Sequence, residues 1–302
     1  MIEPAAFQFN SETATNNFYQ TNSLSESKSQ QLALIEFNVF VKKLISKGIK
    51  VTVIKDTKLP IKPDAVFPNN WISFHKNGSV VFFPMWAKNR RNERRIDILQ
   101  ALQKENKFDI KNKFDYSDFE KQNKFLEGTG SMVLDRKNKL CYAAISVRTH
   151  KNLVYKFCEE MNYSPILFYA KQSIKEKRVP IYHTNVMMTV ADKYVVICLD
   201  TIDDYEEKKQ VVKAIKKSKK EIIEITEAQK NCFAANSLQV IGDESAYLIM
   251  SSKAFHSLNS QQVSKIECFN PILHSDLSTI ENIGGGSARC MMAEVFLPKI
   301  KN

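Results

Sequence analysis

The sequence lacks features that would define several common classes of protein. No apolar run approaches the roughly 18 residues that a membrane-spanning helix needs, and the first residues have neither a basic start nor an apolar signal core. The six cysteines include no CxxC pair, and the five histidines show no metal-ligand spacing to them. These absences argue against a membrane protein, a disulfide framework and a zinc site. We therefore expect a cytoplasmic protein with no bound metal or organic cofactor.

The chain has an excess of positive charge but no nucleic-acid-binding pattern. It carries 44 Lys and Arg residues against 33 Asp and Glu, a formal net charge of +11, which would suit an anionic partner. Most of the basic residues are lysines spread along the whole chain, and aromatic residues do not alternate with them as a base-stacking surface requires. The pattern favours a solvated lysine-rich surface over a nucleic-acid partner. A basic nucleic-acid-binding protein remains a competing hypothesis.

Composition and periodicity predict a mixed α/β chain. Hydrophobic residues make up 43% of the 302 positions, as in ordinary globular proteins, and no break in composition divides the chain, so we expect one domain over 1–302. Apolar residues at helical spacing, such as Leu32, Ile35 and Val39, begin the pattern. The predicted helices lie near 28–47, 92–104, 151–163, 206–218 and 260–266, and the predicted single strands at 49–54, 165–170 and 221–225.

Between these helices a strand–turn–strand segment recurs, for example NNWISFHKNGSVVFFPMW and NSLQVIGDESAYLIMS. Equivalent points of four such segments and of the shorter GSARCMMAEVFLP are separated by 58, 55, 53 and 54 residues, and they are Asn70, Gly128, His183, Asn236 and Cys290. A period that regular indicates a repeat architecture. Five mixed repeats would close more naturally as a ring than as an open stack. We therefore predict a five-bladed α/β propeller whose markers surround a central active-site cavity.

Three residues at or beside these points could carry chemistry. Cys290, His183 and Glu127 match a thiol nucleophile, a proton carrier and a group that orients the proton carrier. Cys290 follows the run 284–286, which holds three of only eight glycines, and glycine is favoured where the backbone takes a positive φ or approaches a ligand. We expect the run to bring backbone close to the substrate. A small buried thiol is the alternative for Cys290, and a hydrogen-bonded core histidine is the alternative for His183.

Four ordered motifs, KPDAVFPNNW, LEGTGS, YHTN and GGGSARCMM, resemble the guanidino-group-modifying superfamily. Its members include arginine deiminase, dimethylarginine dimethylaminohydrolase and the amidinotransferases, which are five-bladed α/β propellers (penteins). The opening FQFNSETATNNFYQ, together with AVFPNNW and SVRT, is most similar to the citrulline-utilization hydrolases. The resemblance implies Cys290 as the nucleophile, His183 as general acid and base, and Glu127 as the residue that orients His183. It also implies a small-molecule substrate, either citrulline or an arginine-like amino acid.

The resemblance extends to residues that would bind the substrate. It implies that Asp64 hydrogen-bonds the reacting group and that Arg148 holds the substrate α-carboxylate. Arg90 or Arg91 would assist, although KNRRNERR could equally be a solvated helix start. The roles of the other polar residues near these motifs stay open, and so does association into a homo-oligomer.

Three asparagines mark a departure from the hydrolases that act on cationic guanidinium groups. Asn69, Asn70 and Asn185 stand where those enzymes carry acidic residues. A buried guanidinium needs carboxylate partners, whereas an amide can pair with both the C=O and the N–H groups of a neutral ureido group. Roles as turn residues are the alternative for all three. The expected reaction is hydrolysis of citrulline to ornithine, ammonia and carbon dioxide. The alternative is an arginine or methylarginine deiminase, dihydrolase or amidinotransferase of the same fold.

Overall fold

The repeating element of the fold is an antiparallel strand pair followed by a helix and a third, parallel strand, and a computed structural model describes it over residues 1–300. The strands are β1 Ile2–Glu3, β2 Ile54–Lys55, β3 Ile72–Phe74, β4 Ser79–Phe82, β5 Asn112–Asp115, β6 Val133–Asp135, β7 Leu140–Ala144, β8 Ser164–Phe168, β9 Lys171–Ile174, β10 Lys177–Pro180, β11 Met188–Val190, β12 Tyr194–Ile197, β13 Glu221–Glu224, β14 Leu238–Ile241, β15 Ala246–Ser251 and β16 Ile272–Ser275. The helices are α1 Ser11–Ala14, α2 Glu26–Ile45, α3 Asp97–Lys104, α4 Gly128–Ser131, α5 Lys151–Met161, α6 Tyr205–Lys217, α7 Glu227–Asn231, α8 Ser252–Ser257 and α9 Ser260–Glu267. Short 3₁₀ segments lie at Pro68–Asn70, Asn89–Glu93, Ser117–Gln122, Thr184–Val186 and Leu199–Thr201, and a π-helical turn lies at Ile280–Gly284.

Four three-stranded sheets share one topology, and they are β3–β4–β5, β6–β7–β8, β11–β12–β13 and β14–β15–β16. In each sheet the first two strands pair as an antiparallel hairpin, and the third strand pairs in parallel with the second. A parallel neighbour requires a crossover connection, and in each sheet a helix provides it. The four strand pairs predicted from the repeated segments are therefore confirmed.

The fifth repeat is less regular. Strands β1 and β2 pair in parallel on either side of α2 in the chain, and no strand forms over 290–297. The strand expected over 49–54 was largely wrong, because only Ile54–Lys55 forms one. Its partner β1 offers just two residues, so the ladder ends after the pairs Ile2 with Ile54 and Glu3 with Lys55. The mixed α/β fold is confirmed, whereas the closed ring of five blades stays a prediction.

The hydrophobic core is divided into five clusters, each of which packs a helix against sheet residues. Phe37 of α2, Leu99 of α3, Phe157 of α5, Ile215 of α6 and Ile266 of α9 each belong to a different cluster. Burial of this apolar surface is the main favourable contribution to folding. One cluster per repeat therefore accompanies the five-unit pattern, including the repeat whose strands are short.

The five predicted helices are confirmed, with shifts at their ends. The helix expected over 92–104 begins at Asp97, because Arg94 has extended backbone after a 3₁₀ segment. In α2, Ile35 and Val39 are exposed, whereas Ser29 and Ala33 are buried. The apolar residues that revealed this helix thus lie partly on its outer face. No helix in residues 1–300 combines the length and apolar composition needed to cross a lipid bilayer.

Candidate active site

Four of the five marker residues lie at equivalent places in the fold, shortly before the first strand of a three-stranded sheet. Asn70 ends the 3₁₀ turn before β3, Gly128 begins α4 before β6, and His183 precedes the 3₁₀ turn before β11. Asn236 stands two residues before β14, and Cys290 lies in a turn of the fifth repeat. Turns at strand ends expose side chains toward one another while the strands fix their positions.

Glu127 and His183 form a buried pair. His183 Nε2 lies 2.7 Å from Glu127 Oε2, and both side chains are almost fully buried. Glu127 Oε1 accepts a hydrogen bond from the backbone N–H of Trp86 at 2.9 Å, and Arg148 Nη1 lies 3.4 Å from Oε2. Glu127 directly precedes the helical turn α4. These partners compensate the cost of burying a carboxylate.

The surroundings of this pair favour the ionised form of Glu127 and the neutral form of His183. Burial acts to raise the pKa of Glu127, but the Arg148 guanidinium and the hydrogen bond from His183 outweigh it and hold that pKa well below its ordinary value. Burial lowers the pKa of His183 to about 4, although the hydrogen bond and negative charge of Glu127 act to raise it. At neutral pH the carboxylate is therefore ionised and the imidazole is neutral, so the imidazole can accept a proton.

Cys290 is held by two amide side chains. Its Sγ accepts hydrogen bonds from Asn185 Nδ2 at 3.4 Å and from Asn236 Nδ2 at 3.3 Å. The side chain is buried, and the Cys290 N–H closes a turn by donating to Ser287 O at 2.9 Å. Asn185 lies two residues after His183 in the same short turn. That turn therefore connects the thiol to the imidazole and carboxylate pair.

The glycines before Cys290 are required by contacts within the protein. Gly285 has a φ of 68°, and a side chain there would overlap Asn17. A Cβ at Gly284 or Gly286 would lie 2.9 Å from ring atoms of Phe67. Phe67 and Asn17 fill the space that side chains would take at these positions, and the approach of this backbone to the substrate stays a prediction.

Arg90, Asn70 and Asn69 form a hydrogen-bonded series. Arg90 makes a bidentate pair with Glu93, through Nε at 2.8 Å and Nη2 at 2.9 Å, and its Nη1 donates to Asn70 Oδ1 at 2.9 Å. Asn70 Nδ2 then donates to Asn69 Oδ1 at 3.1 Å. Because a guanidinium can only donate, Arg90 determines which way both amides face. The free end of the series is the donor Asn69 Nδ2, which is buried and has no partner within residues 1–300.

Asp64 lies beside this series. Its Oδ2 accepts hydrogen bonds from Asn10 Nδ2 at 2.7 Å and from Thr13 Oγ1 at 3.3 Å, and it lies 3.6 Å from Arg90 Nε. Burial raises the pKa of Asp64, although Arg90 acts to lower it. Its Oδ1 is buried and has no partner among the described residues. Asp64 is thus available as an acceptor for a ligand.

The structure brings Arg90 and Arg148 to the site but not Arg91. The Arg148 guanidinium lies between the rings of Trp86 and Tyr182, at 5.4 and 4.9 Å from their centroids. Arg91 instead pairs with Glu120 Oε2 at 3.2 Å and donates to a backbone carbonyl, away from the asparagines. Within residues 1–300 these contacts do not join Arg91 to the asparagines, and a role of Arg91 in substrate binding stays a prediction.

A family model described as N,N dimethylarginine dimethylhydrolase, eukaryotic, matches residues 3–297. The chain belongs to this family. The resemblance to the guanidino-group-modifying superfamily is thereby confirmed, whereas its citrulline-utilization branch is not specifically supported. No curated protein sequence matches the chain.

Solved structures share the fold of this family member. ArgZ, an arginine dihydrolase from cyanobacteria, aligns with a TM-score of 0.74 and 18% identity over 99% of this chain and 40% of ArgZ. AgrE, solved in a ternary complex with ornithine and NAD⁺, aligns with a TM-score of 0.73 and 19% identity over 100% of this chain and 39% of AgrE. An adduct of dimethylarginine dimethylaminohydrolase aligns with a TM-score of 0.60 and 15% identity, over 87% of this chain and 90% of that one. The chain spans about two fifths of the length of ArgZ and AgrE.

Two residues of the site were not identified from the sequence. Glu93, the bidentate partner of Arg90, could have been found from its spacing of three residues, which places two side chains on one face of a helical turn. Thr13 contacts both Asp64 and, through its carbonyl, Arg148 Nη2 at 3.0 Å, and no sequence signal indicates it. Asn16, whose role the sequence left open, also accepts a hydrogen bond from Arg148. Within residues 1–300, no group of three His, Cys, Asp or Glu side chains is placed to hold a metal ion.

Proposed function

We propose that the chain is a cysteine-dependent hydrolase that cleaves a carbon–nitrogen bond of an arginine-like amino acid, with citrulline as its substrate. One observation carries the proposal: the buried turn that His183 begins contacts both a thiol and a carboxylate from other repeats. Cys290 Sγ accepts from Asn185, which lies in the turn that His183 begins, and His183 is bound to Glu127. This combination of nucleophile, proton carrier and orienting carboxylate suits substitution at a trigonal carbon.

The proposed reaction has two half-reactions. Neutral His183 takes the proton of the Cys290 thiol as the sulfur attacks the ureido carbon, and Glu127 stabilises the resulting imidazolium. The imidazolium then protonates the departing amine, the bond between the carbon and the ornithine nitrogen breaks, and a carbamoyl group remains on Sγ. In the second half-reaction His183 takes a proton from water, the hydroxide forms a bond to the carbamoyl carbon, the C–S bond breaks, and the imidazolium returns its proton to the departing sulfur. The released carbamic acid decomposes to ammonia and carbon dioxide.

Three unpartnered polar atoms in the site support citrulline as the substrate. Asn69 Nδ2 is a donor, whereas Asp64 Oδ1 and Asn185 Oδ1 are acceptors, and all three are buried without a partner among the described residues. A ureido group offers one C=O acceptor and several N–H donors, and a guanidinium offers donors alone. Citrulline could therefore satisfy both kinds of atom. A buried donor left unpaired costs about 1–3 kcal/mol, which disfavours arginine at this site.

Arginine as the substrate of a dihydrolase is the second candidate. Asp64 provides a carboxylate of the kind that a guanidinium requires, and its Oδ1 is free to accept a hydrogen bond. ArgZ, which shares the fold, is described as an arginine dihydrolase. Such an enzyme would act on a guanidinium first and on a ureido group second. The two candidates therefore differ in whether arginine is consumed.

The proposal includes one ring-shaped domain in which five repeats surround this site. Hydrogen bonds connect successive repeats: Thr129 Oγ1 donates to Asn69 O at 3.3 Å, Glu127 pairs with His183, and Asn236 Nδ2 donates to Asn185 O at 3.2 Å. Asn236 also contacts Cys290 of the fifth repeat. The glycines before Cys290 pack on Phe67, which precedes the first marker. These contacts support closure of the five repeats upon themselves.

The experiment is to incubate the purified protein separately with citrulline, arginine, dimethylarginine and agmatine, and to identify the products by mass spectrometry. We expect ornithine from citrulline, no ornithine with Cys290→Ser, and normal turnover with Cys268→Ser, whose thiol is exposed. Citrulline released from arginine, with no ornithine from citrulline, would contradict the substrate choice. Turnover retained in Cys290→Ser would contradict the mechanism.

A further inference from the structure

Asn236 holds the nucleophile through both its backbone and its side chain. Its carbonyl oxygen accepts a hydrogen bond from the Arg289 N–H at 3.4 Å, directly before Cys290. Its Nδ2 donates to Cys290 Sγ at 3.3 Å, and Oδ1 lies 3.6 Å from the same sulfur. The side chain is buried, and the Asn236 N–H donates to Phe233 O at 2.8 Å, which fixes the turn that carries it.

The two amide groups are the side-chain donors around Cys290 Sγ. Asn236 and Asn185 each donate one N–H to Sγ, and within residues 1–300 no Lys, Arg or His side chain forms a hydrogen bond to it. The thiolate is the reactive form of a cysteine nucleophile. Hydrogen bonds to an anion are stronger than those to a neutral group. The side-chain donors that could stabilise a charged sulfur here are therefore neutral amides.

The two ends of the Asn236 amide suit the two protonation states of the sulfur. A thiol S–H can donate to Oδ1, whereas a thiolate can accept from Nδ2. A carboxylate at this position could serve only the thiol, because it has no N–H and would repel the thiolate. The amide therefore accommodates the sulfur before and after it loses its proton.

From this geometry we propose that Asn236 is a positioning residue for Cys290. Together with Asn185, Asn236 holds and stabilises the Cys290 thiolate between two amide donors. The inference rests on the proposed role of Cys290 as the nucleophile. Asn236 does not need to contact the substrate to have this role. Its removal should therefore slow the chemical step more than it weakens substrate binding.

The experiment measures alkylation of Cys290 by iodoacetamide, which requires no substrate. Asn236→Asp preserves the shape of the side chain but removes both N–H groups, and Asn236→Ala removes them without adding a charge. We expect either change to slow alkylation of Cys290 by about 10- to 100-fold at pH 7.5, as for loss of a hydrogen bond to a charged group. For citrulline turnover, kcat should fall by a similar factor while KM stays within about twofold.

The matched control is Asn270→Asp. Asn270 is a buried amide of the same repeat, and its Oδ1 accepts from Tyr194 Oη at 3.1 Å and Gln239 Nε2 at 2.7 Å without contact to Cys290. This variant should alkylate like the wild type. Wild-type alkylation rates in both Asn236 variants, with thermal unfolding showing intact folds, would overturn the inference and leave the proposed function standing. If Cys290 of the wild type reacts no faster than exposed Cys268, the proposed function fails and the inference fails with it.

Discussion

His183 Nε2 lies 2.7 Å from Glu127 Oε2, although 56 positions separate the two residues in the chain. This contact joins the second and third repeats and leaves His183 Nδ1 free of hydrogen bonds within residues 1–300. The free nitrogen is the one that could exchange protons with Cys290 and the substrate. The carboxylate would fix the imidazole in this tautomer and stabilise its charged form.

We expect Glu127→Gln to lower kcat for citrulline by about 100-fold or more, in line with the usual contribution of acid–base catalysis. The amide keeps the size of the side chain but does not stabilise an imidazolium. Steady-state kinetics measure the effect. Glu120→Gln is the control, because Glu120 pairs with Arg91 and Arg94 outside the site. A Glu127→Gln enzyme as fast as this control would refute the orienting role.

The acid limb of activity should lie well below the ordinary pKa of histidine. Burial lowers the pKa of His183 to about 4 from 6.5, so the free enzyme keeps a neutral imidazole down to about that pH. We expect kcat/KM for citrulline, which reports the free enzyme, to hold between pH 7 and pH 5.5. An acid limb with a midpoint at pH 6.5 or above would contradict this expectation.

The lowered pKa of His183 also makes the stability of the folded chain fall at acidic pH. Between pH 6.5 and about pH 4, His183 is protonated in the unfolded chain but neutral in the folded chain. The contribution of this group is therefore present above pH 6.5 and is lost as the pH falls toward 4. Urea unfolding of the wild type and of His183→Gln at pH 7 and pH 5 measures it, and the variant should lose less stability on acidification.

Sequence periodicity predicted the repeated elements well but not their orientation. In α2, Leu32, Ile35 and Val39 have helical spacing, yet Ile35 and Val39 face outward while Ser29 and Ala33 face the core. The spacing of apolar residues indicates that a helix has an apolar face, but it does not indicate which parts of the protein cover that face. The fifth repeat was harder still, because its strands come from distant parts of the chain and only two residue pairs form a ladder.

At the site, spacing within the repeats located Glu127, His183 and Cys290, since equivalent points of a repeat occupy equivalent places in the fold. It did not separate Arg90 from Arg91, because adjacent residues in a short 3₁₀ turn project in different directions. The sequence also could not predict which way the Asn69 amide faces. That orientation depends on Arg90, which lies 20 positions after Asn70 and, because it can only donate, orients Asn70 and through it Asn69.

Glu281 should make stability depend on pH in the opposite sense to His183. Burial raises its pKa from 4.5 to about 7, although Ser251 and Ser287 act to lower it by hydrogen bonding. Its contribution is fully present below pH 4.5 and is lost as the pH rises through about 7. Because a shift of one pKa unit corresponds to about 1.4 kcal/mol, the shift from 4.5 to about 7 corresponds to a penalty of about 3 to 4 kcal/mol for the ionised form.

Glu281→Gln, which removes the ionisation, should therefore unfold at a higher temperature than the wild type at pH 8.5. At pH 4.5, where both side chains are neutral, the two proteins should differ little. Thermal unfolding followed by circular dichroism at both pH values measures the difference. An equal effect of the substitution at pH 4.5 and pH 8.5 would show that ionisation of Glu281 is not the cause.

Arg148→Lys should weaken the binding of substrates that carry an α-carboxylate. The guanidinium is fixed by Glu127, by the Thr13 carbonyl and by two aromatic rings, and its Nε is a buried donor without a partner among the described residues. Lysine cannot reproduce this planar arrangement. We expect KM for citrulline to rise about tenfold. For 4-aminobutylurea, which lacks the carboxylate, kcat/KM should change much less.

Arg91→Lys is the matched control, because Arg91 pairs with Glu120 and donates to the Met85 carbonyl, with no hydrogen bond to the asparagines within residues 1–300. Its KM for citrulline should equal that of the wild type. If Arg148→Lys affects citrulline and 4-aminobutylurea equally, Arg148 supports Glu127 without contacting the carboxylate.

Asn69→Asp should shift the substrate preference from a ureido group toward a guanidinium. Arg90 directs Asn70 so that its Nδ2 donates to Asn69 Oδ1, which leaves Asn69 Nδ2 as the open donor. A carboxylate of the same shape offers only acceptors, so it would repel the citrulline C=O oxygen and attract the guanidinium of arginine. We expect the ratio of kcat/KM for citrulline to kcat/KM for arginine to fall by about 100-fold, which reflects loss of one buried hydrogen bond together with a new repulsion.

The ratio is measured by competition between the two substrates, with Asn270→Asp as the control for a buried carboxylate elsewhere. A ratio unchanged from the wild type would mean that the Asn69 amide does not face the reacting group. The hydrogen-bond argument for a neutral substrate would then fail, because the free atoms of Asp64 and Asn185 are acceptors that a guanidinium also satisfies.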